Sequence, residues 1–179
     1  MTETRPGDQP AHAPVERMDF LMSMRAIPGT VAIIASTDET HATGMAATAW
    51  SSLSADPPTV LVCVNQSASV HGVIGRAGAF SLNVVPVGHE ETVAIFSAQR
   101  GLEGRDRFNP DHWTQGAHGM PVLDDAVVSY ECNVVARHDH HTHSIFVGEI
   151  QSIGRKPDTA PTVHVDGGFG YVVPVIKRD

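Results

Sequence analysis

The chain has 179 residues and a mass of 19.1 kDa, the size of one domain with a buried core. The chain contains 12 Lys and Arg residues and 20 Asp and Glu residues, and its net charge of −8 argues against nucleic acid or an anionic membrane as a partner. No apolar run approaches the ~20 residues that cross a bilayer. The N-terminus also lacks the pattern of a secretory signal, so a cytoplasmic protein is expected.

Residues 1–15 contain three prolines and few apolar side chains, which predicts a disordered tail followed by one domain over 16–179. Short helices are predicted over 15–26, 67–78 and 88–99, the second with Ser67 as N-cap and Gly78 as its end. Seven segments have the pattern of strands: 30–37, 43–52, 59–65, 79–86, 126–137, 144–154 and 161–173.

The first predicted helix carries Phe20, Leu21 and Met24 at amphipathic spacing. Residues 100–125 have no clear hydrophobic period and are predicted to form a long loop. The strands cluster at both ends of the sequence and do not alternate regularly with long helices. This order favours a mainly β fold, an antiparallel barrel with peripheral helices, over a doubly wound parallel sheet.

Eleven histidines are the unusual feature of the composition, and four of them form one cluster, at His138, His140, His141 and His143. A strand through this cluster would place His141 and His143 on one face, where two imidazoles can bind a metal. No second group of His or Glu side chains stands at ligand spacing. The prediction is therefore a polar hairpin and no native metal, with a metal-binding protein as the alternative.

Cys63 and Cys132 each lie within an apolar run, which indicates two small buried side chains, with a disulfide or a reactive thiol as the alternatives. The chain has neither a nucleophile elbow nor a P-loop, and the glycines over 167–170 do not open a helix. A Rossmann-type nucleotide site is thereby excluded.

The segment over 44–74 combines small residues, hydroxyl groups, the turn Asp56-Pro57-Pro58 and a run of Ser residues before a helix. Small residues allow backbone groups to approach a flat polar ring, and a helix N-terminus can hold a phosphate. The same pattern also describes an ordinary strand–turn–strand–helix unit, and the residues alone leave the two readings open.

The order of the motifs resembles that of the flavin reductase-like family over residues 17–173. The matching pieces are MRAIPGTVAIIAS, GMAATAWSSLSADPPTVLVCV, FSLNVV, Asp106-Arg107-Phe108, GMPVL, Tyr130-Glu131-Cys132 and HTHSIFVGEI. Each piece is short, and the resemblance rests on their shared order and spacing. The chain departs from the family pattern at Thr48 (usually Asn), at Gln66 (usually basic) and at His141-Thr142 (usually Gly-Asp).

This resemblance implies a six-stranded antiparallel split β-barrel that forms a homodimer, with flavin bound near the dimer interface. By position, the flavin ring would lie along Ala47, Thr48, Ala49, Trp50, Ser51 and Ser52. The ribityl chain and phosphate would meet Ser54, Asn65, Gln66, Ser67, Ser69 and His71. Arg107, Phe108 and the aromatic Phe169 would border the site, and His143 would contact the nicotinamide as the candidate catalytic residue.

The function implied is an NAD(P)H:flavin oxidoreductase that transfers a hydride to FMN or FAD and supplies reduced flavin to a partner monooxygenase. Either NADH or NADPH would be the donor, and the absence of a basic cluster for a 2′-phosphate favours NADH. A flavin-binding electron carrier of the same fold, without reductase turnover, is the alternative. In both cases the partners are small nucleotides and a second copy of the chain.

Overall fold

A computed structural model describes residues 14–173, so most of the predicted tail over 1–15 lies outside the described residues. Three helices are present: α1 (Arg17–Arg25), α2 (Ser69–Ala77) and α3 (Glu90–Phe96), with a 3-10 turn at Gly104–Arg107. The strands are β1 (Gly29–Thr30), β2 (Ala32–Thr37), β3 (Ala42–Ala47), β4 (Trp50–Ala55), β5 (Pro58–Asn65), β6 (Ala79–Val84), β7 (Trp113–Gln115), β8 (Pro121–Leu123), β9 (Val128–His140), β10 (His143–Arg155), β11 (Thr162–Val165) and β12 (Gly168–Tyr171).

The main sheet is antiparallel and has seven strands in the order β3-β2-β6-β9-β10-β5-β4. Its two edge strands, β3 and β4, are consecutive in the sequence and are separated only by Thr48 and Ala49. The Cys63 amide donates to the Ala49 carbonyl at 2.9 Å, which attaches this joint to β5. When β3 and β4 are counted as halves of one bent strand, the sheet has the six strands of the predicted split barrel, and the fold prediction is confirmed.

The barrel is filled by apolar side chains on its inner face, and α2 contributes Val70 and Ile74 to the same core. A second core lies outside the barrel, where Val31, Ile33 and Val85 pack under α3 and Trp113. Strand β2 is therefore buried on both faces, which explains why its sequence is a continuous apolar run rather than an alternating one.

Three of the predicted strands are divided in the structure, and the predicted long loop has structure of its own. Segment 30–37 is divided at Val31, between β1 and β2, which belong to different sheets. Segment 43–52 is divided at the Thr48–Ala49 joint, and segment 161–173 at a turn where Asp166 and Gly167 have φ of 49° and 79°. Residues 100–125 contain the 3-10 turn and the β7–β8 hairpin. Strands of three residues are too short to show a period, so the sequence pattern could not reveal them.

Helix α1 forms where it was predicted, but none of its residues is buried. Phe20 and Met24 are 54% and 46% exposed, and the helix contacts the β11–β12 turn through Arg25 and Asp166. Within residues 14–173, the apolar side chains of α1 therefore pack into neither core.

The histidine cluster lies on a hairpin, but its faces differ from those predicted. His140 ends β9, His143 begins β10 and is paired with His140, and His141-Thr142 form the turn between them. The prediction that His141 and His143 share a strand face is wrong, because the two-residue turn removes His141 from the strand. Among residues 14–173, no three His, Cys, Asp or Glu side chains are grouped so that they could hold a metal ion.

His141 has a φ of 49°, in the left-handed region that glycine adopts without a steric penalty. We expect His141→Gly to raise the free energy of unfolding by about 0.5 kcal/mol, since relief of the strained backbone exceeds the entropy that glycine adds to the unfolded chain. Urea denaturation measures the change. Thr142→Gly is the matched control, because Thr142 is not in this region and its replacement should be destabilising. A loss of stability in His141→Gly would contradict the argument.

Candidate functional site

The joint between β3 and β4 forms one wall of a cavity of about 390 Å³. Thr48, Trp50, Ser51 and Ser52 line it, facing the segment Pro28, Gly29 and Thr30. The Trp50 indole donates from Nε1 to the Thr30 carbonyl at 2.9 Å, which holds the two walls together. A Cβ atom on Gly29 would lie 2.8 Å from the Thr48 Cβ, so a side chain there would clash with Thr48. Apart from Trp50, the residues that line this cavity are small and leave backbone groups accessible, as the contact surface of a flat heterocycle requires.

A polar loop follows β5 and connects it to α2. The Asn65 side chain accepts hydrogen bonds at Oδ1 from the Ser67 amide (2.9 Å) and the Ser67 hydroxyl (2.8 Å), which orders the loop. Ser67 is therefore not the N-cap that the sequence predicted; Ala68 occupies that position, and no side chain caps the helix. The Ser69 hydroxyl shares a hydrogen bond of 2.9 Å with Thr43.

The strand pairing brings His143 beside this polar loop. His143 lies opposite Asn65 in the β5–β10 ladder, and the Gln66 amide donates to the Thr142 carbonyl at 2.9 Å. The His143 side chain is exposed, with Nδ1 2.8 Å from the Thr142 hydroxyl. The structure thus brings the joint, the loop after β5 and the start of β10 together at one end of the barrel.

The other candidate residues lie in neighbouring places. Ala47, Thr48 and Phe169 line a second cavity of about 210 Å³ on the α3 side of the joint. Ser69 and Arg107 line a third, of about 490 Å³. Two candidates are engaged elsewhere: Phe108 packs against Phe96 and Trp113, and Ser54 bonds Asp56 at the far turn of the β4–β5 hairpin.

Arg107 is the candidate residue best suited to an anion. Its guanidinium donates to the carbonyls of Leu102 (2.8 Å) and Gly44 (2.9 Å), which orient it without neutralising its charge. None of the ion pairs formed within residues 14–173 includes it. A phosphate in the third cavity would therefore meet an oriented positive charge.

His71 is half-buried, and its Nε2 lies 2.8 Å from the hydroxyl of the fully buried Ser144. Burial, reinforced by Arg137, lowers the pKa of His71, while the Asp139 carboxylate raises it. The imidazole is therefore neutral at pH 7, and one of its two nitrogens faces Ser144 rather than a ligand.

The cysteines are both free thiols in the structure. Cys132 is buried, and burial together with the neighbouring Glu131 raises its pKa to about 12. Since the thiolate is the reactive form, this side chain is chemically inert and serves as a small apolar group.

The sequence interpretation assigned no site role to Pro28–Thr30 or to His164. Pro28–Thr30 belongs to a segment that resembles the family pattern, but only the fold shows that it faces Ser51 and Ser52. His164 lies in the second cavity and contacts the Phe169 ring at a centroid distance of 5.7 Å. Its only sequence signal is its position within the same C-terminal hairpin.

The fold is a split barrel, and small residues, hydroxyl groups and a histidine meet at one of its ends. Together these features define a split-barrel protein of the flavin-binding class. The sequence profile described as the flavin reductase like domain matches residues 24–172. The chain therefore belongs to the flavin reductase-like family. No helix within residues 14–173 has the length and apolar character needed to cross a membrane.

Two relatives illustrate the similarity. The NADH-dependent FMN reductase RutF of Cronobacter sakazakii is 32% identical over 151 residues, covering 84% of this chain and 90% of that protein. The NADH:FAD oxidoreductase SgcE6 of Streptomyces globisporus C-1027, solved with NAD and FAD fragments, is 25% identical with a TM-score of 0.80. That alignment covers 93% of this chain and 100% of SgcE6.

The fold also matches that of the styrene monooxygenase flavin reductase of Pseudomonas putida S12, with a TM-score of 0.76 and 23% identity. This alignment covers 88% of this chain and 99% of the reductase. At this identity the match concerns the fold alone.

Proposed function

We propose that this protein is an NADH:flavin oxidoreductase that reduces FMN as a diffusing substrate. The observation that carries the proposal is the cavity at the β3–β4 joint, with the loop after β5 and His143 at the same end of the barrel. The RutF relatives, which are FMN reductases using NADH, support the choice of both nucleotides.

The flavin supplies the redox chemistry, since its N5 accepts a hydride from C4 of the nicotinamide. The chain's own residues bind and orient the two rings. Thr48, Ser51 and Ser52 offer hydroxyl and backbone groups to the flavin ring, and the loop Asn65–Ser67 receives the phosphate end. His143 is exposed to solvent at the same end of the barrel, and we assign to it the orientation of the nicotinamide. Proximity and alignment of the two rings account for the rate acceleration, and no covalent intermediate with the protein is needed.

The experiment that tests this function is spectrophotometric oxidation of NADH and of NADPH by the purified protein, with FMN, FAD or riboflavin added. We expect flavin-dependent oxidation with NADH preferred. Stoichiometric flavin binding without turnover would instead identify the electron carrier of the same fold. An absence of both binding and flavin-dependent oxidation would overturn the proposal.

We further infer that the protein acts as a homodimer. Three apolar side chains on barrel strands, Leu53, Val135 and Ile153, are between 53% and 63% exposed, and α1 adds further uncovered apolar surface. Such exposure is unfavourable in water and is typical of an interface. Light scattering should give twice the chain mass of 19.1 kDa, and a monomer would contradict an interfacial flavin site.

Reduced flavin leaving this site is a two-electron donor, and we propose a flavin-dependent monooxygenase as its consumer. A similar fold serves the reductase of styrene monooxygenase, which supports such a pairing. A large oxygenase subunit encoded beside this gene would support the proposal, and so would oxygenase turnover that depends on this reductase. The cytoplasmic location expected from the N-terminal sequence remains a prediction.

A further inference from the structure

A chain of four polar side chains connects helix α2 to the hairpin that carries His143. Arg137 donates from Nε and Nη2 to the two oxygens of Asp139, at 2.7 and 2.9 Å. The Ser144 hydroxyl donates to Asp139 Oδ1 at 2.6 Å, and the Ser144 oxygen lies 2.8 Å from His71 Nε2. Ser144 is fully buried, so its hydrogen bonds are not exchanged with solvent.

The direction of these hydrogen bonds determines the tautomer of His71. Hydrogen bonds from Arg137 and Ser144 lower the pKa of Asp139, so this carboxylate is ionised and can only accept. The single Ser144 proton is therefore directed to Asp139, and toward His71 the hydroxyl oxygen is an acceptor. His71 must donate from Nε2, which assigns the proton to Nε2 and leaves Nδ1 unprotonated in the neutral ring.

The same side chains also pack against one another. Ser144 and Phe146 point inward from β10, and His71 meets the Phe146 ring edge-on at 5.4 Å. The Arg137 guanidinium lies over that ring at 5.6 Å. His71 is thus held in one orientation by both a hydrogen bond and an aromatic contact.

Besides the backbone pairing of β10 with β5, two sets of contacts attach the end of the hairpin, and the four polar side chains form one of them. On one side, the Gln66 backbone N–H donates to the Thr142 carbonyl, and the Gln66 side chain donates from Nε2 to the His143 carbonyl at 3.4 Å. On the other side, the residue that directly follows His143 is Ser144, which is bonded to both His71 and Asp139. Both attachments act together with the β5–β10 ladder to fix the position of His143 relative to the loop after β5.

We propose that His71, acting through the Ser144 hydroxyl, is a positioning residue for His143 and so for the nicotinamide in hydride transfer. This role rests on the proposed function and differs from the phosphate contact that the family resemblance implied for His71. His71 acts here through its neighbour and not by touching the substrate.

The variants His71→Leu, His71→Gln and Ser144→Ala test the role, each alone and combined with His143→Ala. Leucine fills the space without a donor, whereas the glutamine Nε2 can replace the imidazole donor. His112→Leu, at an exposed histidine remote in sequence from the chain of hydrogen bonds, is the matched control. Steady-state assays with NADH and FMN report kcat and both KM values.

We expect His71→Leu and Ser144→Ala each to lower kcat/KM for NADH about tenfold, with little change in the KM for FMN. His71→Gln should recover most of the loss. In the His143→Ala background the further loss from either variant should be less than about twofold, because residues that act through one another are not additive. The positioning role would be overturned if the kcat/KM losses of the single variants multiplied fully in the double variants. It would also be overturned if the KM for FMN rose as much as kcat/KM for NADH fell.

A second measurement does not depend on turnover. In a long-range ¹H–¹⁵N spectrum of the whole protein, Nε2 of His71 should have the shift of a protonated ring nitrogen and Nδ1 that of an unprotonated one. Ser144→Ala should remove this preference. An Nδ1-protonated ring in the unmodified protein would overturn the proposal even if the kinetics agreed. An unmodified protein without flavin-dependent NADH oxidation would instead overturn the proposed function.

Discussion

Replacement of Asn65 by alanine should raise the KM for FMN about tenfold, equivalent to about 1.4 kcal/mol of binding free energy. Asn65 Oδ1 accepts two hydrogen bonds from Ser67 and so orders the loop that we assign to the phosphate. Without them the loop from Asn65 to Ser67 loses its fixed conformation, and the phosphate has to order the loop on binding. Riboflavin lacks the phosphate, so its KM should change less than about twofold.

The comparison of FMN with riboflavin is the decisive measurement, because a general loss of fold would affect both flavins. Asn133→Ala, at an exposed position of β9, is the matched control and should leave both KM values unchanged. Equal increases for FMN and riboflavin would show that Asn65 supports the ring pocket or the fold and not the phosphate. Unchanged values for both would remove Asn65 from the site.

Replacement of Gly148 by alanine should lower the free energy of unfolding by about 3 kcal/mol, through overpacking of the barrel core. A Cβ at this position would lie 2.5 Å from Phe80 Cζ and 2.8 Å from Cys132 Cβ. Phe80 is fully buried and Cys132 is 2% exposed, so neither can move aside without displacing the core. Gly148 also follows a β-bulge, where β10 shifts its register against β9.

Chemical denaturation gives the stability change, and the slope of the transition shows whether the folded state is otherwise intact. Gly170→Ala is the matched control: Gly170 lies on β12, and no atom outside its chain neighbours lies within 4 Å of its added Cβ. Its substitution should change stability by less than about 0.5 kcal/mol. A Gly148→Ala variant as stable as the Gly170→Ala variant would contradict the packing argument.

The strands of the barrel were predictable because their patterns are local. The apolar run over 31–35 and the alternating segment over 79–84 have the composition of strands, and Gly78 ends α2 as expected, with a φ of 64°. Gly148 shows the limit of this approach, since the family pattern includes the glycine but only the packing of Phe80 against it explains why a side chain is excluded.

The candidate site was predictable as a set of residues but not as a geometry. Thr48 and Ser52 were identified from the motif, yet Pro28–Thr30, which forms the opposite wall of the cavity, was not. The family resemblance groups His71 with the residues that would meet the ribityl chain and phosphate. Its contact with Ser144 joins residues 73 positions apart and could not be inferred from either segment alone.

By itself, the sequence determined the fold class and the family and proposed a region for the candidate site, because hydrophobic period, turn residues and motif order are properties of short segments. The tertiary structure alone decided that segment 43–52 is two strands at opposite edges of one sheet. It also decided that His141 belongs to a turn and that His71 faces Ser144. These outcomes depend on strand pairing and side-chain packing between distant segments, whose free energy arises only when the chain has folded.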